Sequence, residues 1–127
     1  MLRSLLKSKI HRATVTEADV AYLGSLSLDE ELAELADLVE YEEIMVADLD
    51  SGERLWTYII FAERGSRTVG INGAAALRIH KGNRIIIFSF AQYAEDEVAG
   101  HEPRLVFVDE GNNPVPGPAR EEHARVF

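Results

Sequence analysis

The residues with the clearest chemical potential are a glycine and a serine, Gly24–Ser25, that stand just before a predicted helix start. A serine hydroxyl can act as a nucleophile, but only where a neighbouring group activates it or the backbone presses it into place. Most Gly-Ser pairs are simply turns, because glycine adopts conformations that other residues avoid. By itself the dipeptide therefore predicts a turn, and any chemistry there depends on its surroundings.

Cationic and hydroxyl side chains lie together on a later predicted strand. Arg54, Trp56 and Tyr58 alternate to one side of this strand, while Thr57 points to the other. In a purely structural interpretation the aromatic rings fill the core of a half-buried hairpin. That interpretation accounts poorly for Arg54, although an exposed strand end would tolerate it.

A strand that ends in Asn72-Gly73 leads into a predicted short helix, 74–79. The first backbone N–H groups of a helix have no partner within it, so they can hold an anion or a developing oxyanion. The commoner role of Asn72 would be to cap the helix. Both roles are compatible with the sequence.

Lys9 and His11 share one face of the first predicted strand, 2–15, because side chains alternate along a strand. A solvated edge strand, where lysine is frequent, also explains them.

In this order and spacing the residues resemble the pyruvoyl-dependent aspartate 1-decarboxylase family. The resemblance covers about residues 1–110. It rests on Lys9, His11, Tyr22, Gly24-Ser25, Arg54, Thr57-Tyr58, the turn Glu63-Arg64-Gly65-Ser66 and Asn72-Gly73-Ala74-Ala75. Leu77 stands where relatives often have His, and Ala47 where some have a large aromatic residue. These two departures bear on pocket shape more than on mechanism.

Decarboxylation of an amino acid leaves a carbanion, so a cofactor must accept its electrons. The resemblance implies that this cofactor is a covalently bound pyruvoyl group made from Ser25, which forms a Schiff base with the substrate. Neither pyridoxal phosphate nor a metal is expected. The chain would be a zymogen that cuts itself into 1–24 (the β chain) and 25–127 (the α chain).

The family's processing route is implied atom by atom. The Ser25 hydroxyl attacks the Gly24 carbonyl, and an ester replaces the amide. Loss of the Ser25 α proton then breaks the ester and leaves dehydroalanine, whose hydrolysis releases ammonia and leaves the pyruvoyl end. Backbone strain at Gly24 is expected to assist the first step.

The resemblance also assigns roles to other positions. Thr57 would hydrogen-bond the Gly24 carbonyl, Tyr58 would protonate the carbanion, and Arg54 would hold a substrate carboxylate with its two-pronged guanidinium. Because Thr57 and Tyr58 point to opposite faces of one strand, we expect a site reached from both sides. The remaining residues expected at the substrate pocket are Lys9, His11, Tyr22, Asn72, Gly73, Ala74, Ala75 and Ile86.

The elements that position these residues are mostly short strands, predicted at 2–15, 44–49, 54–62, 68–71, 84–90 and 105–108. A capping box of Ser27 and Glu30 predicts a helix over 29–39, and the apolar run 85–88 predicts a strand buried on both faces. The pattern indicates a small, mostly β barrel with two or so short helices. The resemblance implies a double-psi β-barrel and a homotetramer with active sites between subunits. The tail from about residue 115 is predicted to be mobile or docked on a neighbouring subunit.

The composition of the chain argues against several classes of function. The 127 residues fit one domain, 46% are apolar, and the net charge of −9 argues against nucleic acid as a partner. Without cysteine there is no thiolate catalysis or disulfide, which fits a cytoplasmic protein. No apolar run suggests a membrane span or a signal peptide.

Three alternatives remain at this point. The chain could be a non-catalytic barrel used for binding or assembly, because one fold hosts many functions. It could be a zymogen that needs a partner protein to mature. A serine hydrolase is the weakest alternative, because the chain lacks a nucleophile-elbow motif. If the family's activity holds, its product β-alanine feeds pantothenate and coenzyme A synthesis.

Overall fold

The computed structural model describes residues 1–123, and residues 124–127 lie outside the described part. The fold is mostly β with two short α-helices and one 3₁₀ helix, as the sequence predicted. The strands are β1 (Leu2–Thr14), β2 (Glu17–Asp19), β3 (Ser25–Asp29), β4 (Glu43–Asp48), β5 (Arg54–Ala62), β6 (Val69–Asn72), β7 (Arg84–Ala94), β8 (Arg104–Val108) and β9 (Pro114–Val115). The helices are α1 (Glu30–Leu35), the 3₁₀ helix (Gly73–Leu77) and α2 (Glu95–Val98).

The strands pair in the order β2-β6-β3-β5-β4-β7-β1-β8-β9. Three of these pairings are parallel, namely β1 with β8, β2 with β6 and β3 with β5, and the others are antiparallel. Strands that are distant in sequence are therefore neighbours in space. The arrangement is consistent with a small β-barrel. It also places β3, which begins at Ser25, between β5 and β6.

The core lies on the inner face of this sheet. Alternate residues of β4 and β7 point inward and are completely or almost completely buried, among them Ile44, Val46, Ile85 and Ile87. Burial of large aliphatic side chains on this scale is the main stabilising contribution to such a fold.

The outer face of the same strands is only partly covered. The prediction that residues 85–88 are buried on both faces is wrong, because Ile86 and Phe88 lie on the outer face and are half-buried. Further along, Phe90 is 42% exposed, and Trp56 on β5 is 59% exposed. An apolar run predicts burial on both faces only where the chain itself supplies a second layer, and here it does not.

The first helix differs from its prediction. It covers Glu30–Leu35 rather than 29–39, and the predicted capping box is absent because Ser27 lies within β3. Asp29 is the N-cap, and its carboxylate accepts a hydrogen bond from the N–H of Glu31 at 2.8 Å. Asparagine and aspartate are strong N-caps, so the error was one of position along the chain.

Three short strands and one short helix were missed, and one of these strands is β3, which begins at Ser25. Residues 17–19 form β2 beside β6, and Pro114–Val115 form β9 beside β8. The segment after β7 is acidic, and its residues Glu95–Val98 form α2. Further on, Gly117 packs directly against the Phe107 ring. Mobility of the tail stays a prediction, part of which falls on 124–127, outside the described residues.

The turn after β5 is organised by a buried carboxylate. Asp29 is completely buried, and it accepts hydrogen bonds from the N–H groups of Gly65 at 2.9 Å and Arg67 at 2.7 Å. Burial alone would raise the pKa of this carboxyl. The hydrogen bonds from Gly65, Arg67 and Glu31 outweigh burial and lower the pKa below its ordinary value. The Glu63-Arg64-Gly65-Ser66 turn thus has a structural role.

Candidate active site

Ser25 is the first residue of β3 and is only 5% exposed. Its hydroxyl lies 3.3 Å from the Leu23 carbonyl, to which it donates, and it accepts a hydrogen bond from Nδ2 of Asn72 at 3.1 Å. The same Asn72 nitrogen donates to the Ser27 hydroxyl at 2.8 Å. Asn72 makes no side-chain cap of the 3₁₀ helix. Its amide instead crosses from β6 to β3 and fixes the serine oxygen.

The Gly24 backbone lies in close contact with Gly73. A Cβ added at Gly73 would lie 2.7 Å from Gly24 Cα and 2.9 Å from Gly24 N, closer than packed atoms approach. Gly73 also has a φ of 72°, in the left-handed region that favours glycine. Only glycine therefore allows the start of the 3₁₀ helix to lie against the Gly24–Ser25 peptide.

A hollow of 410 Å³ opens beside this peptide. Five predicted site residues besides Gly24 line it, and the chain brings them together from β5, β6 and the 3₁₀ helix. They are Thr57, Tyr58, Asn72, Ala74 and Ala75. On the Gly24 side, an added Cβ would meet no atom within 4 Å, so the peptide borders open space.

Thr57 and Tyr58 reach the same hollow although they point to opposite faces of β5. Thr57 pairs with Ile44, on the inward face, and Tyr58 pairs with Glu43, on the outward face. The Tyr58 ring stacks on Tyr41 with ring centres 6.3 Å apart. The hollow is thus open to both faces of the strand within one chain.

A second group of predicted residues lies on the outer face of the sheet, away from the lining of the hollow. Arg54 and Ile86 both pair with Ala47, so they lie in one row across β5, β4 and β7. In the next row, Lys9 of β1 pairs with Phe88. Trp56 borders both the Gly24 hollow and a groove of 540 Å³ that also contains Met45 and Phe90. The outer face therefore adjoins the hollow at Trp56.

Lys9 and His11 lie beneath the tail. The Lys9 ammonium forms an ion pair with Glu121. His11 packs edge-on against Phe107, with ring centres 5.6 Å apart. Burial is the main cause that lowers the His11 pKa, and the positive charges of Lys9 and Arg12 lower it further. These effects favour the neutral imidazole.

Tyr22 is 61% exposed and lies on the approach to Gly24, with its carbonyl oxygen near Gly73. Three residues that line the hollow were not predicted as site residues, namely Leu55, Trp56 and Arg78. Leu55 and Trp56 could have been found as neighbours of Arg54 and Thr57. Arg78 follows the 3₁₀ helix directly. Its place in the sequence, a cationic residue about one turn after the predicted site residue Ala75, was the signal that could have identified it.

Two features are absent from residues 1–123. No cluster of three or more His, Asp or Glu side chains is arranged to hold a metal ion in this part of the chain. Over the same residues, no helix is both long and apolar enough to cross a membrane.

Comparison with known proteins gives a consistent result. Residues 1–115 match the family model described as aspartate decarboxylase. The chain is 46% identical over 125 residues to an aspartate 1-decarboxylase of Desulfitobacterium hafniense (strain DSM 10664 / DCB-2), covering 98% of both chains. It is 45% identical over 126 residues to an aspartate 1-decarboxylase of Clostridium kluyveri (strain ATCC 8527), covering 99% of both.

Proposed function

Because the chain belongs to the aspartate decarboxylase family, we infer that it is a carboxy-lyase that converts L-aspartate to β-alanine and CO2. β-Alanine is a building block of pantothenate, and hence of coenzyme A, so the activity serves pantothenate biosynthesis. The observation that best supports the inference is the Gly24–Ser25 peptide itself. Asn72 donates to the Ser25 hydroxyl, Gly73 lies against the Gly24 backbone, and the peptide borders the hollow that Thr57 and Tyr58 line.

The residues around this peptide fit a pyruvoyl group derived from Ser25. The group is small and must sit at the start of β3, where the side chain is buried and Asn72 supplies a hydrogen-bond donor. Gly73 leaves empty the space that a Cβ would occupy, and Gly24 faces open space. A pyruvoyl group there would supply a carbonyl that bonds the substrate amine and accepts the electrons left by departing CO2.

Maturation starts with the Ser25 hydroxyl attacking the Gly24 carbonyl carbon. The C–N bond breaks, the serine nitrogen takes up a proton, and an ester joins the two residues. Loss of the Ser25 α proton then releases the Gly24 carboxylate, and hydrolysis of the remaining enamine nitrogen frees ammonia. Asn72 fixes the attacking oxygen, and Thr57 donates to the Gly24 oxygen as it becomes negative. A lost oxyanion donor typically costs about 3–4 kcal/mol of barrier.

In the decarboxylation, the chain's own residues bind and orient the substrate. Tyr58 borders the hollow and delivers the proton that replaces CO2. Arg54 binds a carboxylate with its planar guanidinium. Asn72, Ala74 and Ala75 line the hollow, and Gly73 lies against Gly24, so the Asn72 amide and the backbone of this segment form the polar wall beside the reacting carbonyl.

The site is completed by a second subunit. Lys9, His11, Arg54 and Ile86 do not line the hollow of their own chain, yet most of them lie on its half-covered outer face. That face exposes Trp56 and Phe90, and exposed aromatic patches are typical of interfaces. A homotetramer in which one subunit's outer face meets another's hollow would unite both groups. We place this assembly in the cytoplasm.

The intact mass of the purified protein tests the proposal. Self-cleavage predicts two pieces, residues 1–24 and 25–127, the larger lighter by one ammonia than a chain that starts with serine. The cleaved protein should then release CO2 and β-alanine from L-aspartate. Ser25→Ala, which removes the attacking oxygen, should stay whole and inactive, whereas Ser51→Ala in the exposed β4–β5 turn should cleave normally.

A chain that never cleaves would leave two alternatives, a maturation partner or a barrel without this chemistry. Extract from the source organism separates them. Cleavage in extract supports the partner, and an intact chain in extract contradicts the proposed function.

A further inference from the structure

Arg78 brings a positive charge to the hollow at Gly24. It directly follows the 3₁₀ helix, and its backbone N–H is bonded to the Ala75 carbonyl at 3.0 Å. Its position is therefore tied to the segment that lies against the scissile peptide. Among the described residues that line this hollow, Arg78 is the one with a permanently charged side chain.

One side of the Arg78 guanidinium is held and the other is open. Nη1 donates to both Glu53 carboxylate oxygens, at 3.0 and 3.1 Å. The Nε and Nη2 donors make no hydrogen bond within residues 1–123. The ion pair is exposed, with 66% of the Arg78 side chain accessible. Such pairs contribute only about 0–1 kcal/mol. Glu53 therefore aims the guanidinium without using the edge that matches a carboxylate.

We propose that Arg78 is a substrate-specificity residue that binds the retained, side-chain carboxylate of the acidic substrate through its Nε–Nη2 edge. This rests on the proposed function and goes beyond it by naming the subunit that supplies the charge. The same chain that carries Ser25 then also selects for a dicarboxylate. Arg54, on the outer face, would act from the neighbouring subunit.

The carboxylate that leaves as CO2 is the poorer candidate for this contact. A cation that grips it would stabilise charge that the transition state is losing, and would slow the reaction. A cation on the retained carboxylate binds ground state and transition state alike, so it lowers KM and leaves kcat unchanged.

The test compares Arg78→Met, which keeps the length but removes the charge, with Arg104→Met on β8 as the matched control. Charge-assisted hydrogen bonds of this kind are worth about tenfold or more in binding. We expect Arg78→Met to raise KM for L-aspartate at least tenfold with kcat within about twofold. Arg78→Lys, which keeps the charge but loses the fork, should be intermediate. Arg104→Met should match the wild type.

Two readouts separate failure of this inference from failure of the proposed function. Intact mass shows whether each variant is cleaved, thermal unfolding shows whether it is folded, and calorimetry measures succinate binding without any turnover. Weaker succinate binding by Arg78→Met supports the assignment even if the wild type does not decarboxylate aspartate. Unchanged KM and unchanged succinate binding in a cleaved Arg78→Met protein would overturn it, as would a loss confined to kcat.

Discussion

At the scale of single residues, the Gly24–Ser25 site depends on one amide and on one missing side chain. Asn72 donates to both Ser25 and Ser27, so its orientation is set by two acceptors on the neighbouring strand. Gly73 leaves the space that lets Gly24 lie against the 3₁₀ helix. In the proposed mechanism, the reactivity of Ser25 would thus depend on how these neighbours position it.

Gly73→Ala should stop or severely slow self-cleavage. The left-handed backbone alone makes alanine costlier by roughly 1–2 kcal/mol, and the new Cβ would push the Gly24 backbone away. Intact mass over time measures cleavage, and thermal unfolding measures the stability loss. Gly100→Ala is the control, because a Cβ there meets no atom within 4 Å. Normal cleavage by Gly73→Ala would show that this close contact is dispensable.

Ser27→Ala should slow cleavage by a smaller factor. It removes one of the two acceptors that orient Asn72. A neutral hydrogen bond contributes about 0.5–1.5 kcal/mol, which corresponds to a rate decrease of up to about tenfold. Ser27→Thr, which retains the hydroxyl, should stay near the wild-type rate. The measurement is the first-order rate of appearance of the 25–127 piece, and equal rates for the two variants would exclude a positioning role.

At the scale of elements, Asp29 connects β3, α1 and the turn after β5. Its carboxylate is completely buried and accepts three backbone hydrogen bonds and a fourth from the Arg67 guanidinium. Because these bonds lower the folded-state pKa, they stabilise the fold at any pH above the unfolded value, ordinarily 3.8. The contribution is lost as the pH falls through the lower, folded-state pKa.

Asp29→Asn should lower the free energy of unfolding at pH 7 by about 2–3 kcal/mol, because one amide oxygen cannot replace both carboxylate oxygens. The wild type should lose stability below about pH 4, while the variant should lose less over that range. Urea unfolding at several pH values measures both effects. Asp96→Asn on the exposed helix α2 is the control. A variant with the wild-type acid profile would contradict this role of Asp29.

The elements also show what the sequence could and could not predict. Hairpin β4–β5, with Gly52 at a φ of 78°, was predictable from its turn residues. The fate of Asn72 was not, because a cap and a cross-strand contact need the same residue type. The two-residue strand β9 lies among prolines and glycines, which carry no strand signal. Residue pattern identifies elements, while short pairings and polar partners depend on the tertiary fold.

At the scale of the whole molecule, the site residues divide into a hollow and an outer face. The family resemblance predicted both sets of residues by their positions in the sequence. No periodicity in the sequence could show that the fold keeps the two sets apart within one chain. Alternation along β5, β4 and β7 explains the division, because Arg54, Ala47 and Ile86 all point outward. In the proposed assembly, their contact with substrate would therefore depend on a second copy.

Mixing two inactive variants tests this division. Ser25→Ala lacks the reacting serine, and Arg54→Met lacks the outer-face cation. If sites form between subunits, mixed assemblies should recover about a quarter of wild-type activity under random association. At an L-aspartate concentration well below the KM of Arg54→Met, activity per assembly should be close to zero when either variant is alone, and light scattering should report a tetramer. No recovery in a mixed tetramer would place Arg54 and Ser25 in the same subunit's site.

If the chain is cut between Gly24 and Ser25, as we propose, the position of Ser25 at the beginning of β3 makes this maturation irreversible. The piece 1–24 contains β1, which lies between β7 and β8. Cutting the chain would therefore leave this piece hydrogen-bonded to strands on both sides within the sheet. Refolding the cut protein would require two separate chains to meet, and its rate would depend on concentration. A cleaved molecule would therefore be one that had folded correctly at least once. After it, longevity depends on the height of the unfolding barrier, since a lost partner strand is not remade by the same chain.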